Sequence, residues 1–176
     1  MSHHSVLCLA TSRAQAEHIV DQLRLARFSS NDISALFADH GTTRDFAHET
    51  HTKAPEGTAA GAGTGGVIGG ALGWLAGIGA FAIPGIGPFI AAGPILAALS
   101  GAAIGATVGG IAGCLIGMGI PEIEAKRYEG KLQEGNILIA VHTENHDEMD
   151  RAKEIFETAE AVDICTTSEK PIPQPS

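Results

Sequence analysis

Charge is missing from a long stretch of this chain. From Gly57 to Pro121 there is no Asp, Glu, Lys, Arg or His. No Gly-Lys-Ser/Thr phosphate loop can exist there, and Gly61-Ala62-Gly63-Thr64-Gly65-Gly66, a superficial GxGxxG, has no acidic ribose partner after it. Basic residues are scarce throughout, 11 against 20 acidic ones, for a net charge of −9. No basic stripe is available to meet phosphates, which excludes a nucleic-acid partner. Aromatics make up 5%, with Trp74 the one tryptophan. Three cysteines, Cys8, Cys114 and Cys165, form no CxxC pair. Such a scatter gives neither a disulfide framework nor a zinc ribbon, and suits buried thiols in a reducing compartment. The N-terminus has no basic region followed by an apolar run, so no signal peptide is expected.

Glycine fills the uncharged stretch. Of 23 glycines, only Gly41, Gly130 and Gly135 lie outside it. The mean hydropathy of +0.15 therefore averages two unlike materials. Two ladders run through the block, each stepping by four: Gly61, Gly65, Gly69, Gly73, Gly77, and Gly101, Gly105, Gly109, Gly113, Gly117. Residues four apart share a helix face. A face without Cβ atoms lets two backbones approach closely, with van der Waals contact as the gain. Each glycine costs a helix about 0.5–1 kcal/mol relative to alanine. Such helices need lipid, which forces internal hydrogen bonding, or tight packing on another helix.

The spacing predicts a helical hairpin. Thr58 to Ile83 and Pro94 to Gly119 are each long enough for a hydrocarbon core of about 30 Å, which takes roughly 20 residues. Pro84, Gly85, Gly87 and Pro88 break the helix between them. Lys53 before the hairpin, and Lys126 and Arg127 after it, put the charged part in the cytoplasm by the positive-inside rule. The segment Ala82 to Pro94 is itself apolar, which is unusual for a tip emerging into water. The hairpin is expected in a bilayer or inside a protein assembly.

The flanks read as a small α/β unit. Ser5–Ala10 is a short apolar run with strand character. Ser12 and Gln15 have capping-box spacing ahead of a helix to about Arg27. Asp32–Ala38 alternates as a strand. Pro121, with Glu122 and Glu124 behind it, opens a helix that Gly135 stops. Asn136–His142 is a strand. Asn145 and Glu148 cap a helix with apolar face Met149, Ala152, Ile155, Phe156 and Ala159, and Ala161–Thr166 is the last strand. The fold class is α+β: a ferredoxin-like split βαβ with an inserted glycine-rich α-helical hairpin. Residues 5–56 form the first half, 57–120 the hairpin and 121–167 the second half. Residues 168–176 form a proline-rich disordered tail. The hairpin is expected to project from the link between the second and third expected strands, Asp32–Ala38 and Asn136–His142, without disturbing the sheet.

Catalytic chemistry finds little support. His40, Asp45, His48 and His51 have metal-ligand composition, but a solvated polar connector explains them and no metal is assigned. His142 and His146 flank a strand-to-helix turn and read as surface or capping residues. Cys8 and Cys165 fall on neighbouring strands and are read as small buried residues. No Ser-His-Asp or Cys-His spacing occurs. No cofactor or small-molecule substrate is assigned.

The stretch GIGPFIAAGP, the Gly-x-x-x-Gly runs and the exit GIPEIEAKRYEGKLQEGNILIAV resemble the bacterial general stress protein 17M-like family. The similarity covers Ser5 to Thr166 and is most specific from Gly119 to Gly135. It implies a stress-related accessory role without enzymatic chemistry. The expected function is a non-enzymatic, stress-related protein of the bacterial inner membrane. Its hairpin enters lipid and drives homo-oligomerisation, with the α/β domain cytoplasmic. The alternative is a soluble cytoplasmic homo-oligomer, a cage or filament with the hairpins inside.

Overall fold

A computed structural model describes residues 4–38, 78–83, 87–93, 110–117 and 119–168. The elements run β1 (His4–Ala10), α1 (Arg13–Leu25), β2 (Ile33–Ala38), β3 (Ile78–Ile83) and β4 (Gly87–Ala92), then α2 (Gly110–Gly117), α3 (Glu122–Gln133), β5 (Ile137–Thr143), α4 (His146–Thr158) and β6 (Val162–Ser168). The fold is α+β. One antiparallel sheet has six strands in the order β3-β4-β2-β5-β1-β6.

Local chemistry sets the flanking elements. The Ser12 hydroxyl accepts from the Gln15 N–H at 3.2 Å, and Gln15 Oε1 accepts from the Thr11 N–H at 2.7 Å. Asn145 Oδ1 accepts from the Glu148 N–H, and Glu148 Oε2 from the Glu144 N–H, both at 2.9 Å. Each pair satisfies N–H groups that a helix start leaves without partners. Gly135 ends α3 with φ +99°, in the left-handed region where a Cβ is costly.

Topology follows from the pairings. β5 lies between β1 and β2 and is antiparallel to each, so β1 and β2 are parallel and joined by α1. β1 likewise lies between β5 and β6, which α4 joins. The two βαβ units interlock through a shared centre. Val6, Cys8, Ile139 and Val141 turn to a core with Ile19, Val20, Leu23, Met149, Ala152 and Phe156 of α1 and α4. Leu7, Leu9, Leu36 and Leu138 turn the other way, onto Ile111 and Leu115 of α2 and Ala125, Tyr128 and Leu132 of α3. The sheet is covered on both faces, which explains why its central strands read as near-continuous apolar runs.

The glycine block departs from the expected helical hairpin. Its middle is a β-hairpin. Ile78–Ile83, read as the end of the first helix, is β3, and β4 occupies the middle of the apolar segment Ala82–Pro94 read as the break between helices. Gly87 and Pro88, assigned to an interhelical turn, start β4 opposite Ile83 and Ala82. The physical reason is the open edge of β2. Ala35 to Ala38 pair with Ala92 to Phe89, so the hairpin supplies hydrogen-bond partners that β2 would lack. Pro88 lies just past the last β2–β4 pair, Ala38 with Phe89, where its missing N–H is not needed by β2. Pro84 and Gly85 lie outside the described residues.

The end of the block is also drawn onto the sheet. Gly110–Gly117 is helical, as expected, but it packs under Leu7, Leu9 and Leu36 with Ile111 and Leu115 fully buried. Gly119, at φ +96°, ends the helical run and turns the chain into α3. The described part of the insertion thus contributes two strands and a helix to the α/β body. No described helix is long and apolar enough to cross a membrane.

Candidate functional site

Eight of the ten ladder glycines, Gly61, Gly65, Gly69, Gly73, Gly77, Gly101, Gly105 and Gly109, lie outside the described residues, as do His40, Asp45, His48 and His51. The last two rungs, Gly113 and Gly117, are on α2. They share an exposed side of that helix with Ile116, which is 42% exposed. Among the described residues, a Cβ added at either glycine would meet nothing within 4 Å. Ile123, at the start of α3, is 77% exposed. The α2 surface therefore has two unlike sides: Ile111, Ala112 and Leu115 seal the sheet, and no described residue covers the glycine side.

A charged residue from outside the block fixes α2. Glu129 Oε2, on α3, accepts from the Ala112 N–H at 3.0 Å. This carboxylate sits at the first turn of α2, where unpaired N–H groups and the helix dipole favour negative charge. Sequence reasoning missed it, because the pairing joins the uncharged block to a helix 17 residues on, and spacing within either segment carries no trace of it.

Gly93 is special for a different reason. Its φ is +82°, and an added Cβ would lie 2.1 Å from the Ile33 carbonyl oxygen. This glycine permits a close backbone crossing as the chain leaves β4. It belongs to neither ladder, and the absence of a four-residue partner is the signal that separates it from them.

The second polar constellation braces α3 against β6. Leu7 pairs with Cys165 and Leu9 with Val162, so Asp163 and Ile164 together face Cys8 in a bulge. Asp163 takes φ +51°, a left-handed conformation that costs a side-chain-bearing residue energy. Two α3 side chains hold it. The Tyr128 hydroxyl donates to the Asp163 carbonyl at 2.6 Å, and Arg127 Nη1 lies 3.3 Å from Asp163 Oδ1. Cys165 Sγ donates to Glu124 Oε2 at 2.8 Å. Burial, then the Glu124 carboxylate, pushes the Cys165 thiol up to about 12. Burial, then Cys165, Glu124 and Asp163, raises Tyr128 as well. Thiol and phenol stay protonated at neutral pH and serve as donors, which makes this cluster a clamp and not a nucleophilic centre.

The two described cysteines are on adjacent strands, as expected, but face opposite sides of the sheet. Cys8 packs with α1 and α4, while Cys165 lies on the α3 side. Burial raises the Cys8 thiol too. His142 Nδ1 lies 3.4 Å from the Ser5 hydroxyl, and the His146 ring stands edge-on to His4 with centroids 6.4 Å apart. Among the described residues, no group of three or more His, Cys, Asp or Glu could hold a metal ion. A scan against family models, a search of curated proteins and a search of solved structures each return no match.

Proposed function

We propose that this chain is a non-enzymatic structural protein that assembles with copies of itself through its glycine ladders. The observation that carries this reading is the side of α2 that no described residue covers. Alanine would fit at Gly113 and Gly117 with no described neighbour within 4 Å, and would favour the helix by about 0.5–1 kcal/mol at each. The described part of one chain supplies no reason for glycine there. A second backbone seated on that side supplies one.

The α/β body is of the ferredoxin-like, split-βαβ type, supported by the order β2-β5-β1-β6 and the parallel pairs joined by α1 and α4. The stress-related role rests on the resemblance noted above. Its most specific stretch is the one whose end glycines, Gly119 and Gly135, take positive φ.

Topology favours protein over lipid as the ladders' surroundings. β2 and β3 belong to one sheet, so the chain between them crosses a bilayer an even number of times or not at all. The uncharged run Gly57–Gly77 has room for one crossing at roughly 20 residues each, and Pro94–Gly109 is shorter still. A second reading keeps lipid as a partner without spanning: the ladders dip into one leaflet of the bacterial inner membrane. Lys53, ahead of the block, favours that contact, whereas Lys126 and Arg127 beyond it pair with Glu122 and Asp163.

The double variant Gly113→Ala/Gly117→Ala tests the main reading. In an isolated chain it raises stability by about 1–2 kcal/mol in total. In the proposed assembly it forces the partner backbone away and lowers particle mass. Light scattering and thermal unfolding on the same sample decide it. Unchanged mass with a higher melting temperature overturns the proposal.

A further inference from the structure

The two ends of the sheet are built differently. β6, at one end, carries devices that discourage further pairing: a bulge at Asp163–Ile164, a left-handed Asp163, and the Arg127–Asp163 ion pair. Among the described residues, β3, at the other end, carries none of these. Its six residues, Ile78-Gly79-Ala80-Phe81-Ala82-Ile83, include no charge and no proline, and no described strand pairs with its outer edge.

We propose that the outer edge of β3 is an interface that takes β3 of a second copy in antiparallel register. The strand is self-complementary. About a two-fold axis at Ala80, Ala80 meets Ala80 of the second copy, Gly79 meets Phe81, and Ile78 meets Ala82. Small residues thus oppose large or small ones, and the two phenylalanines never meet head-on. Electrostatics points to the same occupant. Each chain carries −9, so two copies repel through most of their surface, and an uncharged strand is where they can meet without opposing like charges. The contact is two-fold and joins two sheets into one.

This interface is separate from the α2 glycine side. Its consequence for size rests on the ladder reading above. A subunit with two different two-fold contacts does not stop at a dimer; alternating contacts extend the assembly until it closes on itself or grows as a filament.

The test uses the full chain in detergent-free buffer, with mass read by light scattering. Gly79→Lys and Ala80→Lys place a charge on opposite faces of β3, and Lys on an edge blocks pairing. Wild type gives particles well above a dimer. A folded Lys variant gives dimers, Gly113→Leu gives dimers, and the combination gives the 18.0 kDa monomer. Lys variants with native circular dichroism that keep the wild-type mass, while Gly113→Leu lowers it, overturn the edge pairing and leave the ladder reading standing. The reverse pattern, with only the Lys variants losing mass, removes the ladder reading and leaves the edge. Hydrogen exchange of wild-type β3 amides provides a readout free of substitutions. Protection that falls on dilution supports the pairing; identical exchange at every concentration overturns it.

Discussion

Single residues in this chain are held by three distinct constraints: close backbone approach, strain under a clamp, and burial of a protonated thiol. Gly93 has the first, and any side chain there collides with the Ile33 carbonyl. Gly93→Ala is expected to cost at least about 2 kcal/mol, from strain at positive φ together with the displaced β2–β4 crossing. Urea unfolding measures it. Cys165 shows the third constraint. With its thiol raised from 9.0 to about 12, the thiolate fraction at pH 8 is about a thousandfold below that of a free thiol. Alkylation of the native protein at Cys165 should be slower by roughly that factor, read by mass spectrometry. The same shift links to stability. The folded state keeps its proton longer than the unfolded one, so the contribution is full below pH 9 and is lost as pH rises from 9 towards 12. Cys8 and Tyr128 shift in the same direction, and alkaline unfolding should therefore begin in that window.

Among the elements, those with local signals were legible and those with only tertiary reasons were not. Ser12 with Gln15 and Asn145 with Glu148 announce α1 and α4, because capping chemistry is written in adjacent residues. The strands β1, β2, β5 and β6 lie between turn signals and were readable as short apolar runs. β3 and β4 were not. Ile78-Gly-Ala-Phe-Ala-Ile is uniformly apolar, and such a run has no period to separate a buried strand from part of a helix. Gly77, just before it, is the last rung of a four-residue glycine pattern in the sequence that precedes it. The deciding fact, the open edge of β2, lies 40 residues away in the chain. The docking of α2 was hidden for the same reason, since its cap is Glu129. Removing that carboxylate gives the prediction for this scale. Glu129→Ala should cost about 0.5–2 kcal/mol, the usual value of a lost helix cap, with faster hydrogen exchange confined first to the Ala112 amide and its neighbours. Unchanged exchange there would mean that α2 is held by Ile111 and Leu115 alone.

For the whole molecule, the candidate site was legible in composition, and two of its ten ladder glycines fall among the described residues. The ladders stand out as a four-residue repeat, and two rungs, Gly113 and Gly117, prove to lie on a helix side that no described residue covers. Their length in sequence pointed to a bilayer, because hydropathy counts residues and ignores where the ends of a segment are fixed. Once β2, β3 and β4 share a sheet, a crossing must be matched by a return. That constraint is why the proposed function gives the glycines contacts between copies. The protein then combines an acidic, two-sided α/β layer with small-residue surfaces that another backbone can approach.

Sedimentation velocity of the wild-type chain over a range of concentrations, with and without mild detergent, tests this most directly. The account predicts a homo-oligomer of many times 18.0 kDa in plain buffer, whose mass is unaffected by detergent below the level that unfolds the sheet. A single 18.0 kDa species at all concentrations, or material that enters solution only with detergent, would contradict it.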